Sequence, residues 1–376
     1  MWENNVKFFK GSVVPSFFLA LVISFIVTLR TGTGMGDQQT ASKQPVTSSN
    51  RPIRDRRDMV LTIGQTQGDL QGKDDKVIQA GIEYLNRVGG GTLHILPGVY
   101  NLRNAIYLRP NITMKGSGEK TVLRKADSVV TALTKDSDWF EYGVRVKDVS
   151  GFAPGGGIML RSKKETGAGN WEYDVLSATV TAIHGDIVFL NRLTKENFWI
   201  DANATAATIF PILTAENVDN VVVEDVVLDG NRDKNEHING NFAGAVFIQH
   251  CNRWLFKNVI ATNYNGDGFS FQVCDDVQFR NCKAINNSDL GFHPGSGSQR
   301  PVFRNCAANG NSQGIFFCWS VSDGLVENCI LSENTKYGVS IGHRDTDAIR
   351  LRIVLFAIMG RNSQESGSIF KARPRI

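Results

Sequence analysis

The chain has 376 residues, of which 37 are glycine, 41 are Lys or Arg and 37 are Asp or Glu. Glycine exceeds its usual share of about 7%, as is typical of folds with many tight turns. Eight of the basic residues but only three acidic ones fall within residues 1–57, so residues 58–376 contain 33 basic and 34 acidic residues. This near-neutral balance argues against a nucleic-acid-binding protein.

The N-terminal segment combines a basic start with a long apolar run. Two lysines precede 19 mostly apolar residues at 11–29. The run exceeds the ~7–15 residues usual in a secretory signal and reaches the ~17–25 of a membrane-spanning helix. We therefore predict a signal peptide or, in preference, an uncleaved signal-anchor helix over residues 1–30, so that the protein is exported and either secreted or held at a membrane. Residues 31–57, rich in Gly, Ser, Thr, Gln and Arg, are predicted to be a linker.

Residues 58–133 are predicted to hold an N-terminal cap and the first coils of the fold. An aspartate at position 74 or 75 can cap the N-terminus of a helix. The apolar residues of that helix share one face, namely Ile78, Ile82 and Leu85. Three glycines at 89–91 end the helix, and the first β-strand is expected directly after them.

Residues 134–212 alternate as several β-strands and lack the repeat found downstream. The sequence His-Gly-Asp at 184–186 is typical of a hairpin turn between two of these strands. We predict a small β subdomain inserted into an early coil. Its tryptophans are compatible with a sugar-binding platform, although packing inside the insertion is the preferred interpretation for Trp139, Trp171 and Trp199.

A repeat with a period of 23 or 24 runs through the segment that begins at residue 213. Its first marker is an Asp or Asn after a short apolar run, found at Asp225, Asn258, Asn281, Asn305 and Asn328. Its second marker is a glycine, found at 244, 268, 291, 314 and 338. Apart from the wider step between Asp225 and Asn258, both markers recur at this period throughout. A fixed period of this length is typical of a solenoid.

Apolar residues recur at fixed positions around both markers. Two residues before the Asx marker come Val223, Phe256, Phe279, Phe303 and Val326, and one residue after it come Val226, Val259, Cys282, Cys306 and Cys329. Like residues would then stack at the inter-strand spacing of about 4.8 Å. The pattern predicts an all-β fold, a right-handed parallel β-helix over 213–376, with Asx corners in the left-handed backbone conformation. The six cysteines are expected to be buried free thiols, because parallel in-register Cβ vectors suit a disulfide poorly.

The cap and the repeat together resemble a known superfamily. A short helix followed by Gly-Gly-Gly-Thr, a strand and Pro-Gly-Val-Tyr at 89–100 resembles the N-terminal segment of pectate-lyase-like right-handed parallel β-helix proteins. The resemblance covers roughly 60–125 and 215–345. It implies the fold but not one reaction, because the superfamily includes lyases, hydrolases, epimerases and phage tailspikes. It also implies that the substrate groove lies on the sheet that follows the glycine marker.

Alternation along the strand after each glycine sorts its residues by face. The second residue after the glycine should face solvent, and this column contains Val246, Ser270, His293, Phe316 and Ser340. The same face and its flanking turns collect titratable and aromatic side chains from separate coils. The long loop at 229–241 enters one of these strands and is expected to hang over them.

From this face we predict a candidate site. Its catalytic candidates are His293, His343, Arg344 and Asp267, and its substrate-binding candidates are Lys336, Tyr337, Trp319, Gln272, Asp289 and His237. Removal of the proton next to a uronate carboxylate needs a cation and a base. We expect His293 or His343 as the base, with Arg344 and Lys336 pairing with the carboxylate. No metal site is predicted, although Ca²⁺ is a further source of positive charge.

Three functions stay open for this exported protein and its expected polysaccharide partner. The preferred one is a lyase or C5-epimerase, because Gly-Phe-His-Pro-Gly at 291–295 resembles a motif of alginate C5-epimerases, shifted so that His293 takes the place of its Asp. A polygalacturonase-like hydrolase would need paired carboxylates, for which Asp267 and Asp289 are the candidates. A non-catalytic glycan-binding protein is the third. We expect a monomer, with an irregular repeat after residue 347.

Overall fold

The computed structural model describes residues 59–163, 173–342 and 346–357, together with two short strands at Val27–Thr28 and Phe370–Ala372. The chain winds as a parallel β-helix, and each full winding places strands in three columns. The first column contains Val60–Gly64, Gly91–Ile95, Ile112–Lys115, Val221–Glu224, Trp254–Lys257, Gln278–Arg280, Val302–Arg304 and the first halves of Leu325–Ser332 and Arg350–Ala357. The predicted fold class is confirmed.

The other two columns complete each winding. The second contains Gly98–Leu102, Thr121–Lys125, Val227–Asp229, Ile260–Thr262, Lys283–Ile285, Ala307–Asn309 and the second halves of Leu325–Ser332 and Arg350–Ala357. The third is a parallel sheet, called the front sheet below, made of Ile106–Tyr107, Leu213–Glu216, Gly244–Gln249, Asp267–Gln272, Leu290–Pro294, Gln313–Phe317, Tyr337–Ile341 and Phe370–Ala372. Short 3₁₀ helices occur at Gly118–Lys120, Ile200–Ala202 and Arg232–Lys234, Leu70–Gln71 pairs with Val60–Gly64, and Val27–Thr28 runs antiparallel to residues 350–351.

The corners between the first two columns are formed by the Asx residues that mark the repeat. All five have positive φ, between 53° and 58°, at Asp225, Asn258, Asn281, Asn305 and Asn328. Asn and Asp tolerate this left-handed conformation better than other residues with a side chain. The predicted corners are therefore confirmed, and they fix the direction in which the next strand leaves.

Like side chains stack inside the winding. The rings of Phe256, Phe279 and Phe303 lie parallel, with centroids 5.0 and 5.1 Å apart and interplanar angles of 6° and 8°. Phe269 and Phe292 stack in the same way from the front sheet. All six cysteines are buried and free, as the sequence predicted. Column after column of matched apolar residues therefore forms one continuous core.

The N-terminal cap is a helix over Asp75–Arg87. Asp74 is its N-cap, and its side chain accepts a hydrogen bond from the backbone N–H of Lys76 at 3.1 Å. The predicted apolar face of the helix is fully buried against the first coil. One expectation was wrong: the strand Val60–Gly64 precedes the helix and pairs in parallel with Gly91–Ile95, so the helix follows the first strand of the fold.

A separate antiparallel sheet of six strands interrupts the winding between the early coils and residue 213. We call it the inserted sheet, and its strands are Val130–Ala132, Gly143–Arg145, Gly157–Lys163, Tyr173–His184, Ile187–Leu190 and Thr205–Ala207. It has a small apolar core of its own. Trp139 and Trp199, expected in that core, are instead exposed, while Trp171 lies outside the described residues.

The register of one front-sheet strand differs from the prediction. Gly244 pairs with Asp267, not with Gly268, so Val246 stacks on Phe269 and Phe247 pairs with Ser270. Val246 therefore points into the core, and Phe247 takes its place on the outer face. The run at 245–248 is entirely apolar, so no polar residue shows which alternate positions face inward. The glycine spacing alone therefore predicted a register that was wrong by one residue.

The two ends of the chain bear on the remaining expectations. Arg350–Ala357 pairs in parallel with Leu325–Ser332, so regular winding continues past residue 347. Among the described residues, no helix has both the length and the apolar character to cross a membrane. The apolar run predicted as a signal or anchor lies outside those residues except for Val27–Thr28.

The Phe stack provides a test of the core. Phe279→Ala should lower the free energy of unfolding by about 3–5 kcal/mol, because it removes the central ring of a close-packed stack and leaves a cavity. The measurement is urea unfolding followed by circular dichroism. Gln278→Ala, on the same strand but outside the core, should change the unfolding free energy by less than about 0.5 kcal/mol. Equal effects of the two variants would contradict the stacking account.

Candidate functional site

A long loop at 230–243, called the front loop, lies directly on the outer face of the front sheet. The Ser270 hydroxyl donates a hydrogen bond to the carbonyl oxygen of Gly240 at 2.7 Å. Gly240 also packs against the carboxylate of Asp267, since a Cβ at position 240 would lie only 1.7 Å from Asp267 Oδ2. Only glycine fits here without displacing the carboxylate. The loop therefore covers the face as the sequence predicted, but more closely than expected.

Beneath the front loop, His293 and Asp267 form a buried pair. His293 Nδ1 lies 2.7 Å from Asp267 Oδ2, and the two residues are 3% and 1% exposed. His293 does point away from the core, as its place in the alternation required. The prediction that it is exposed was nevertheless wrong, because the front loop covers Asp267 and the Phe316 ring lies beside the imidazole, with centroids 5.5 Å apart.

The charges of this pair set its chemistry. Burial alone would lower the pKa of His293, but the charge and hydrogen bond of Asp267 outweigh it and raise that pKa to about 9. Burial raises the pKa of Asp267, against the opposing effect of His293. His293 therefore carries its proton at neutral pH and has no lone pair with which to accept another. Buried and protonated, it is poorly suited to be the base that the sequence proposed.

A second histidine–aspartate pair lies at the surface beside the first. His237, on the front loop, places Nε2 2.8 Å from Asp289 Oδ2, and 59% of its side chain is exposed. The hydrogen bond to Asp289 raises the pKa of His237 in spite of partial burial. Arg161, from the inserted sheet, donates a hydrogen bond to the carbonyl oxygen of His237 at 3.2 Å and pairs with Glu236. The accessible imidazole thus has a fixed orientation and a cation nearby.

A pocket of about 410 Å³ lies where the inserted sheet, the front loop and the front sheet meet. Aromatic and polar side chains line it, among them Tyr107, Thr214, Phe247 and Gln249 from the front sheet, Asn241 and Phe242 from the front loop, and Ser177 from the inserted sheet. Three charged residues, Arg109, Arg192 and Glu216, also line it, together with five apolar residues. This size and mixture are typical of a small-molecule or sugar site.

The two arginines of the pocket differ in their partners. Arg109 makes a bidentate contact with Glu83, with N–O distances of 2.7 and 3.2 Å. Arg192 is exposed and has no carboxylate partner within the described part of the chain. Arg192 is therefore the pocket's available cation.

The remaining predicted residues fall into two groups. Gln272 accepts a hydrogen bond from the backbone N–H of Ser296 at 2.8 Å and lies over Gly295. The other downstream substrate-binding candidates lie farther along the front sheet or in its turns, at Trp319, Lys336 and Tyr337. His343 and Arg344 lie outside the described residues. For Ca²⁺, the ranges 59–163, 173–342 and 346–357 contain no group of three or more His, Cys, Asp or Glu side chains arranged to hold a metal ion.

Sequence reasoning missed the pocket. Tyr107 and Thr214 come from front-sheet strands that no glycine marker precedes, and Arg192 belongs to the inserted segment itself. Phe247 and Gln249 come from the strand whose register was wrongly predicted. The glycine spacing paired Ile248 with Gln272, whereas the structure pairs Gln249 with Gln272 and so extends the exposed column toward the N-terminal coils.

The buried pair should make stability depend on pH. The pKa of His293 is about 9 in the folded protein and about 6.5 in an unfolded chain, so the folded state binds the extra proton between these values. The stabilisation from His293 is thus complete below about pH 6.5 and is lost as pH rises through about 9. Compared with wild type, a variant with Asp267→Asn and His293→Gln should lose less unfolding free energy between these pH values, as measured by urea unfolding.

The test depends on the difference between the two proteins. Buried Lys125, whose pKa is lowered to about 7 by burial, contributes a pH dependence of the opposite sign in both. Identical pH profiles for wild type and variant would contradict the assigned proton on His293.

Comparison with known proteins supports the fold. Residues 224–350 match a family model described as the right handed beta helix region. A capsule K1-specific depolymerase of Klebsiella phage K64-1 is 20% identical over 257 residues, which cover 65% of this chain but only 28% of the phage protein.

Two solved structures are also among the matches. A hyperthermoactive exopolygalacturonase from Thermotoga maritima has a TM-score of 0.46 and 13% identity, over 76% of this chain and 66% of that one. The A-module of a mannuronan C-5 epimerase from Azotobacter vinelandii has a TM-score of 0.28 and 12% identity, over 79% and 95%. The matched residues span the regular coils described above, and the match agrees with the right-handed parallel β-helix fold of the described residues.

Proposed function

We propose that the chain binds an acidic polysaccharide on its front sheet and removes the proton next to a uronate carboxylate, as a lyase or C5-epimerase does. The observation that carries this proposal is the pocket with an available arginine, joined through the front loop to an accessible, oriented histidine. His237 and the pocket residues Asn241 and Phe242 belong to the same segment, the front loop. Binding and proton transfer would therefore share one rigidly held segment.

Binding follows from the pocket's chemistry. The Arg192 guanidinium offers a planar set of donors that matches a carboxylate. Rings of Tyr107, Phe242 and Phe247 offer apolar surface to the non-polar faces of a sugar, and neighbouring amides and hydroxyls offer hydrogen bonds to its hydroxyl groups. The phage relative is named as a capsule depolymerase, which fits a carbohydrate ligand.

Proton removal would use His237. With Nε2 donating to the Asp289 carboxylate, Nδ1 carries the lone pair and is the basic atom. Nδ1 takes the proton from C5, and the adjacent carboxylate, neutralised by an arginine, accepts the developing charge. Elimination then breaks the C4–O4 bond and forms a C4–C5 double bond, and the proton held on Nδ1 passes to the departing O4. Epimerisation instead takes a proton from water on the opposite face of C5, and Nδ1 releases its own proton to solvent.

Two alternatives have less support from the geometry. Hydrolysis through Asp267 and Asp289 needs one carboxyl to give a proton and the other to activate water. Each of these carboxylates is already paired with a histidine, and Asp267 is buried under the front loop. Binding without turnover is the second candidate, and the burial of His293 favours it over a mechanism that needs His293.

Activity should be found among acidic polymers. The full chain should raise the ultraviolet absorbance of a uronate polymer solution if it eliminates, or incorporate solvent deuterium at C5 if it epimerises. His237→Ala should lower the rate by about 10²–10⁴-fold, the usual contribution of a general base, while leaving binding intact. Reducing ends formed without new absorbance would indicate a hydrolase instead.

The pocket arginine has a matched control. Arg192→Ala should weaken binding of the acidic polymer by about tenfold or more, because it removes the available cation of the pocket. Arg280→Ala, an exposed arginine on the first column, should bind as wild type does. Affinity gel electrophoresis with the polymer in the gel measures both, and equal loss in both variants would show that the attraction is only general charge.

The pH dependence identifies the base. The rate should rise with pH through the pKa of His237, which lies above its usual 6.5 because of Asp289. Asp289→Asn should move this rise to lower pH as well as lower the maximum rate, since the hydrogen bond that raises the pKa is weakened. A rise that stays at the same pH in Asp289→Asn would rule out His237 as the titrating base.

A further inference from the structure

The connections between strands of the inserted sheet carry a set of exposed aromatic side chains that the proposed reaction does not use. Trp139 is 48% exposed, Phe140 70%, Tyr142 57% and Trp199 38%. Aromatic rings of this size usually contribute to a core or an interface. Four of them exposed on two paired segments therefore point to a binding surface.

These side chains follow one another along the paired segments 136–142 and 190–200. Leu190 donates its backbone N–H to the carbonyl oxygen of Tyr142 at 2.6 Å, and Phe140 donates to that of Thr194 at 3.0 Å. Farther along, Ser137 pairs with Phe198, which places Trp199 beside position 136. The order from one end is thus Tyr142, Phe140, Trp139 and Trp199, and we call these four residues the aromatic track.

The aromatic track lies on the same pair of segments as the pocket residue Arg192. Arg192, the available cation of the pocket, lies in the sequence between Leu190 and Thr194. These two residues form backbone hydrogen bonds with Tyr142 and Phe140 of the track. A polymer held at Arg192 would therefore meet Tyr142 and Phe140 next. These backbone hydrogen bonds place the track and the segment of Arg192 next to one another.

Phe140 has a backbone conformation that its side chain does not favour. Its φ is 66°, in the left-handed region where a bulky residue is an outlier. Its ring does not compensate by filling the core, because it is the most exposed of the four. Strain of this kind persists where the surrounding structure holds it and is found at ligand-binding sites.

The charges beside the track differ from those of the pocket. Segments 135–142 and 194–201 together contain five acidic residues but only two lysines. Carboxylates at this density would repel the carboxylates of a neighbouring uronate and an anionic membrane surface alike. The rings remain suited to the non-polar faces of uncharged sugars.

We propose that the aromatic track binds the neutral sugar units that flank the uronate held in the pocket. The substrate class is then an acidic heteropolysaccharide, in which uncharged units separate the uronates, and not a homopolymer of uronic acid. This inference rests on the proposed function of the pocket and adds the composition of the polymer to it.

The test compares two kinds of polymer by affinity gel electrophoresis. Hyaluronan and gellan contain uronates separated by neutral units, whereas alginate and polygalacturonate are homopolymers of uronates. Wild type should bind at least one heteropolymer about tenfold more tightly than either homopolymer. Phe140→Gly should weaken that binding about tenfold, the loss of one stacked ring, and leave homopolymer binding unchanged.

Controls separate binding from folding. Glycine adopts the backbone of position 140 without strain, so Phe140→Gly should keep or raise the midpoint of thermal unfolding. Trp139→Ala should repeat the loss of heteropolymer binding, and Tyr84→Ala, an equally exposed aromatic on the cap helix, should not.

Each outcome decides a different point. Tighter binding of homopolymers, or unchanged heteropolymer binding in both track variants, would overturn the role of the track while leaving the pocket's function in place. Failure of wild type to bind any of the four polymers would overturn the proposed function and this inference together.

Discussion

Five successive coils of this protein depend on a left-handed corner at one Asp or Asn residue in each. The corner turns the chain between two strands without lengthening it, so the next coil returns in register with the last. Register brings like side chains over one another, and phenylalanine rings then stack at 5.0 and 5.1 Å along the core. Because the coils are rigid and evenly spaced, residues far apart in sequence become neighbours on the front sheet.

The same regularity determines where function can lie. Perfect repetition leaves no cavity, so the pocket occurs where repetition is interrupted. The front loop and the inserted sheet both leave the winding at early coils and meet over the front sheet. Rigid strands supply the floor of the site, while the irregular segments supply His237, Arg161 and Arg192. The buried Asp267–His293 pair then acts as a support that holds the floor beneath the loop.

The sequence predicted the repeating features, the cap helix and the insertion, but it did not predict the contacts that the non-repeating segments make with the coils. The corners, the core columns and the free thiols follow from spacing, because each coil supplies an independent copy of the signal. Val246 was assigned to the wrong face because its apolar neighbours give no phase. The direction of His293 followed from alternation, but its burial depends on Gly240, on a loop that leaves the winding two coils earlier. Such a contact leaves no trace in a local pattern, and the same is true of Arg192.

The six buried cysteines have a consequence for how the protein resists oxidation. Their sulfur atoms are buried in a close-packed core and form no disulfide bonds, so oxidants reach them only when coils unwind. An unwound chain would present six thiols to one another at once and could become locked by mismatched bonds. Resistance to oxidative damage is therefore a kinetic property here, set by how rarely the solenoid opens and not by the intrinsic reactivity of any single thiol.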